Sequence, residues 1–135
     1  LPPTRSLTRA KRLLADLPGG GGTPLASAID AAAAVALSER SKARTPMVVF
    51  LTDGRANIDR AGQPGRAAAD EDALAAGRRL AATGTRSLYI DTALRPQPEA
   101  DRFSRAMGGV YATLPFCASG AVVDLVRREL AAVAP

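Results

Sequence analysis

Met47, Val48, Val49, Phe50 and Leu51 form an unbroken apolar run that stops abruptly at Thr52, Asp53 and Gly54. Such a run reads as a strand buried on both faces of a parallel sheet. The surrounding chain agrees. Leu25, Ala28, Ile29, Ala32 and Ala36 recur at helical spacing before it and fade near Ser41. After it comes a polar loop from Arg55 to Arg66, then a helix expected over Ala68 to Ala82 with Leu74, Gly77, Leu80 and Ala81 inward. Ser87 to Ile90 is a second strand, ending at Asp91 and Thr92. A helix from about Glu99 to Met107 follows a Pro-rich loop. Gly108 and Gly109 turn into a third strand, Val110 to Leu114. Ser119 is placed to cap a last helix with Val122, Leu125, Val126 and Leu130 on one face.

The start of the chain adds one more helix. Ser6 is placed to cap it, and Leu7, Ala10, Leu14 and Leu17 repeat on one face. Pro18 and the run Gly19 to Gly22 end it. Thr23 and Pro24 then open the second helix, since proline suits a first helical position and threonine can cap. Alternating helices and strands imply an α/β fold, a parallel sheet flanked by helices, in a single domain over residues 1–135. The first strand reads as central, yet nothing before it can flank it. Missing strands ahead of Leu1 are therefore expected, and the abrupt start is that of a fragment.

Composition excludes several functions. Histidine is absent, which removes Ser-His-Asp and Cys-His catalysis and histidine zinc sites. Cys117 is the only cysteine, so no internal disulfide forms, as in a reducing cytosol. No run is apolar and long enough to span a bilayer. Net charge is +5, with the basic residues scattered and tryptophan absent. That is a poor match to a nucleic-acid surface, which joins a basic stripe to stacking aromatics. The alternatives are a solvated surface in an arginine-rich composition, or an acidic partner met through electrostatic steering.

Ligands of open parallel sheets bind beyond the carboxyl ends of the strands. Asp53 stands there, where a carboxylate can ligate a hard cation or simply close a turn. Thr23, after the glycine run, is a helix cap or a ligand. The glycine loop is not a phosphate-binding Walker loop, because no lysine precedes Thr23. Asp91 ends a strand at the same edge and reads first as a strand-end cap. Arg55 and Asn57, just beyond Asp53, are either solvated or in contact with a partner's carboxylate. Tyr89 and Tyr111 read as core, and Cys117 as a small apolar residue.

Two segments carry a resemblance. The stretch from Gly19 to Leu25 (GGGGTPL) and the stretch from Val48 to Ile58 (VVFLTDGRANI) resemble the von Willebrand A, or integrin I, domain. More closely, the opening LPPTRSLTRAKR, these two segments, Tyr89 to Thr92 (YIDT) and Met107 to Tyr111 (MGGVY) resemble the D-subunit family of magnesium chelatase. The resemblance implies a metal-ion-dependent adhesion site built from three segments. Thr23 matches the loop threonine and Asp53 the Thr-Asp-Gly aspartate. The Asp-x-Ser-x-Ser segment does not occur here and is expected upstream. The implied sheet order is 3-2-1-4-5-6, with the strands here as the last three. The implied cofactor is Mg²⁺. The implied partners are an AAA+ I subunit and a porphyrin-binding H subunit in a hetero-oligomeric ring, with no catalytic site in these residues. The alternatives are the same domain in a cobalt chelatase or MoxR-type system, or a small nucleotide-binding α/β enzyme.

Overall fold

The computed structural model describes residues 4–15, 20–53, 55–114 and 119–132. The expectations for Leu17 to Gly19, the turn at Gly54, Cys117 and the Ser119 side chain lie outside what is described. The elements run α1 (Leu7–Ala15), α2 (Leu25–Arg40), β1 (Met47–Thr52), α3 (Arg66–Ala82), β2 (Arg86–Asp91), α4 (Pro98–Ala106), β3 (Val110–Thr113) and α5 (Ser119–Ala131). Type and order match the sequence reading throughout.

The three strands form one parallel sheet in the order β1-β2-β3. The register sets Phe50 beside Tyr89 and Tyr89 beside Tyr111. Their rings follow one another across the sheet at centroid spacings of 6.3 Å. Because side chains alternate along a strand, Thr52 and Asp91 lie on the same face as these rings.

That face is covered by α2, α3 and α4. Leu25, Ala26 and Ile29 of α2, Ala69, Ala73, Ala76 and Leu80 of α3, and Ala100 and Phe103 of α4 pack with Tyr89 into one core cluster. Burying a side chain such as Ile29, Leu80 or Phe103 stabilises the fold by about 1.5–3 kcal/mol. The many alanines let backbones come close. At Gly77 an added Cβ would lie 3.1 Å from the Ala106 Cβ, so α3 and α4 meet almost backbone to backbone. Gly109 is under tighter constraint, because a Cβ there would sit 2.3 Å from the Ser87 hydroxyl and 2.8 Å from its carbonyl oxygen.

Three expectations need correction. Strand β1 is not buried on both faces: Met47 to Phe50 are half-buried and Leu51 is 61% exposed. It lies at an edge of this sheet, and no strand among the described residues pairs with its outer side. Central β2 has the burial that the β1 sequence suggested, with Ser87 to Asp91 all buried. The inward face of α2 uses Ala26 in place of Ala28, which is exposed. In α1 the apolar stripe is uncovered: Leu7 and Leu14 are exposed and no residue of the helix is buried.

Candidate functional site

The carboxyl edge of the sheet is where the sequence-derived candidates gather. Asp53 follows directly on β1 and is exposed. It lines a cleft of about 640 Å³ together with Arg55, Thr92, Leu94, Arg95 and Gln97. The cleft thus lies between the loop after β1 and the loop after β2, as the topology of a parallel sheet requires.

Thr23 is held to the first of these loops by a reciprocal pair of bonds. Its backbone N–H donates to Asn57 Oδ1, and its carbonyl accepts the Asn57 N–H at 3.3 Å. The sequence permits this join only because residue 22 is glycine. A Cβ at Gly22 would lie 2.2 Å from Ile58 Cγ1. The threonine does not act as the expected cap. The first turn of α2 has Pro24 at its cap position and no side-chain capping bond. The carbonyl of Thr23 instead accepts the Leu25 N–H at 3.0 Å. Its hydroxyl is therefore not used to close the helix.

The rest of the loop after β1 is tied down locally. Ile58 bridges Pro64, the Asp59 N–H donates to Gln63 O at 3.0 Å, and Asp59 Oδ1 accepts the Gln63 N–H at 2.8 Å. Arg60 then fastens this loop to both flanking helices. Its guanidinium lies 2.6 Å from Asp30 of α2, and its backbone N–H donates to Asp72 of α3 at 2.9 Å. Arg79 reaches the same Asp30 at 3.1 Å. Half-exposed pairs of this kind contribute little singly, about 0–1 kcal/mol, but the shared Asp30 makes a network.

Asp91 behaves differently from Asp53. It is fully buried, and its Oδ1 accepts the Ala93 N–H at 2.9 Å while its Oδ2 accepts the Tyr111 hydroxyl at 2.7 Å. This is the strand-end cap that the sequence suggested. The role of Tyr111 was missed: it reads as core from its neighbours, yet its hydroxyl serves a carboxylate. Burial, and then the bond to the Asp91 carboxylate, push the ionisation of Tyr111 well above the ordinary tyrosine value of 10. Tyr89 is pushed up likewise, chiefly by burial, beside Thr52.

A second, smaller pocket of about 80 Å³ adjoins the cleft. Arg55 and Gln97 line both, and the smaller one adds Arg66, Asp70 and Glu99. Burial, followed by the nearby Glu99 charge, raises the Asp70 carboxyl above its ordinary range.

The structure therefore bonds Thr23 to Asn57 and sets Asp53 and Arg55 in the lining of one cleft, which Thr23 and Asn57 do not line. It adds Leu94, Arg95 and Gln97, which the sequence reading left as an anonymous Pro-rich loop. The rule that loops gather at the carboxyl edge was the signal that would have found them. Among the described residues, no three His, Cys, Asp or Glu side chains come together to hold a metal. No helix is long and apolar enough to cross a membrane.

No family model matches the chain, and no solved structure matches it. Curated relatives do. The chain is 51% identical to the magnesium-chelatase 60 kDa subunit of Cereibacter sphaeroides, over 85% of its own length and 21% of that protein. It is 42% identical to the 60 kDa subunit of Rhodobacter capsulatus, over 98% of the chain and 24% of the relative. It is 37% identical to the magnesium-chelatase 67 kDa subunit of Chlorobaculum parvum, over 92% of the chain and 22% of the relative. The chain thus spans only 21% to 24% of these relatives.

Proposed function

Because the chain is homologous to a fragment of the magnesium-chelatase 60 and 67 kDa (D) subunits, we propose that it is an assembly module of such a subunit. In this reading it is the carboxy-terminal part of a single von Willebrand A domain. It brings an AAA+ I subunit and a porphyrin-binding H subunit together for ATP-dependent insertion of Mg²⁺ into protoporphyrin IX. The compartment is the cytoplasm. No catalytic step is assigned to these residues.

The observation that carries the reading is the exposed Asp53 at the carboxyl end of β1, opening on a cleft large enough for a partner's side chains. The donors suit a resident Mg²⁺ in kind. Asp53 offers a carboxylate and Thr23 a hydroxyl not spent on capping, and Mg²⁺ takes oxygen ligands, often one or two carboxylates with several waters. When bound, the ion supplies an open coordination position for a partner's carboxylate. The residues here do the rest. Asn57 holds the threonine loop, Asp53 faces the cleft, and Arg55 and Arg95 add positive charge beside it. The remaining donors belong to the Asp-x-Ser-x-Ser segment expected elsewhere in the longer protein. The apolar outer side of β1 supports the same picture. A groove of about 460 Å³ runs there between Ala32, Val35 and Ala36 of α2 and Met47, Val48 and Val49 of β1.

The test is capture of the I subunit by the complete D-type subunit, with and without Mg²⁺. Asp53→Ala is expected to abolish the Mg²⁺-dependent part of the binding. Undiminished Mg²⁺-dependent capture would sink the metal-bridge reading.

A further inference from the structure

Asp53 shares its cleft with two cations, Arg55 and Arg95. Arg55 enters from the loop after β1 and Arg95 from the loop after β2. Neither forms an ion pair with another described residue, and Arg55 also borders the smaller pocket lined by Asp70 and Glu99. Beside Arg95, on the rim, Leu94 is 83% exposed. The cleft itself carries one carboxylate and two guanidinium groups, the adjoining pocket adds Arg66, Asp70 and Glu99, and a divalent cation beside Asp53 would tip this balance to positive. A single partner carboxylate would leave that charge unbalanced.

We propose that the cleft takes a protein segment bearing at least two carboxylates separated by a short aliphatic stretch. One carboxylate faces Asp53, a second pairs with Arg55 and Arg95, and the aliphatic side chain lies against Leu94. This rests on the partner-carboxylate reading above and adds the residues that choose the partner. Guanidinium groups suit the purpose because their forked donors match a carboxylate bidentately and keep their charge at any relevant pH. They match phosphate equally well, but the lining favours peptide. No aromatic ring lines the cleft to stack on a base, and its exposed apolar element is aliphatic. Selection by charge also fits a docking surface that steers its partner before contact.

The experiment uses the full-length subunit that contains this chain. A fluorescein-labelled peptide Gly-Ser-Glu-Leu-Ser-Glu-Gly is titrated by anisotropy at low salt, in EDTA and in Mg²⁺, beside peptides with either Glu changed to Gln. In EDTA the one-acid peptide that keeps the arginine-facing Glu should bind at least as tightly as the two-acid peptide, and the other one-acid peptide more weakly. In Mg²⁺ the two-acid peptide should bind most tightly, and added salt should weaken it. Arg55→Ala and Arg95→Ala should each weaken it about two- to tenfold. Asp53→Ala should tighten binding in EDTA, where its charge only repels, and weaken it in Mg²⁺. The arginine effects in EDTA test the present proposal, and the Mg²⁺ enhancement tests the metal bridge, so each fails separately. Three results would overturn the proposal: no effect of either arginine substitution in EDTA, equal binding of the two one-acid peptides in EDTA, or pyrophosphate displacing the peptide at lower concentration than the peptide's own affinity.

Discussion

Gly22→Ala is the sharpest probe of how the threonine loop is seated. The new Cβ would stand 2.2 Å from Ile58 Cγ1, 2.6 Å from Ile58 Cδ1 and 3.0 Å from Asn57 Oδ1. Carbon atoms in contact settle about 3.5–4.0 Å apart, so the two segments must separate by more than about 1 Å. Ile58 cannot simply swing aside, because Cγ1 is next to its branch point and its backbone is bridged to Pro64. Overpacking of this sort costs about 1–3 kcal/mol. Losing the bond between the Thr23 N–H and Asn57 Oδ1 adds about 0.5–1.5 kcal/mol. The join should therefore weaken by about 2–4 kcal/mol. Hydrogen–deuterium exchange over residues 20–25 of the full-length subunit reads this locally. Exchange there should accelerate by about thirtyfold to several hundredfold, since each 1.4 kcal/mol is a factor of ten. The control is the same substitution in an Ile58→Ala background, where the space is already open. There Gly22→Ala should cost less than about 1 kcal/mol, the signature of two residues in direct contact. Equal acceleration in both backgrounds would refute the steric argument.

Three further outcomes follow from the same geometry. Tyr111→Phe removes a hydroxyl that donates at 2.7 Å to the buried Asp91 carboxylate, so it should destabilise the fold by about 1.5–3 kcal/mol in thermal unfolding, and an unchanged midpoint counts against the pairing. Tyr89 and Tyr111 both ionise later when folded than when unfolded, so their protonated forms favour the native state. Stability should hold below about pH 10 and fall as pH rises beyond it, while tyrosinate absorbance lags until unfolding, and early ionisation of both rings in the native protein would contradict this. Asp70 also has a raised folded-state value, so its contribution is present at acid pH and lost as pH rises through that value. Asp70→Asn should therefore gain melting temperature relative to the parent between about pH 3 and pH 6, and a pH-independent difference would exclude the effect.

The order of elements was readable because helical and strand periods differ and because glycine and proline punctuate this chain. Where local pattern and three-dimensional packing diverge, the reading slipped. Ala26 and Ala28 are chemically identical, and only packing in three dimensions decides which is covered. The apolar run of β1 reads as central, but burial also depends on what pairs beside it. Thr23 has every local feature of a helix cap, yet a residue 34 positions away claims its backbone instead. Of the site, Asp53 and Arg55 were visible from the strand end, and the structure puts both in the cleft. Asn57 was read as an exposed contact and turns out to be a clamp. Leu94 and Arg95 carry no motif, so only the adjacency of two strand ends reveals them.

The two strand-end aspartates show why the exposed one is the candidate for chemistry. Thr52 and Asp91 are register partners, so Asp53 and Asp91 leave the sheet at nearly the same height. Asp91 is enclosed, and each of its oxygens already accepts a donor. Pulling that carboxylate toward a ligand would leave a buried hydroxyl or N–H unsatisfied, at a cost of about 1–3 kcal/mol apiece. It is better understood as the pin from which the loop bearing Leu94 and Arg95 springs, just as Asn57 pins the loop bearing Thr23. The exposed groups facing the cleft can then meet a partner without disturbing the fold that positions them. This division separates two kinds of variant. Substitutions at the pins, such as Tyr111→Phe or Gly22→Ala, should lower stability and peptide affinity together. Arg55→Ala and Arg95→Ala should lower affinity alone, and a matching loss of stability in those two would show that the arginines are part of the scaffold.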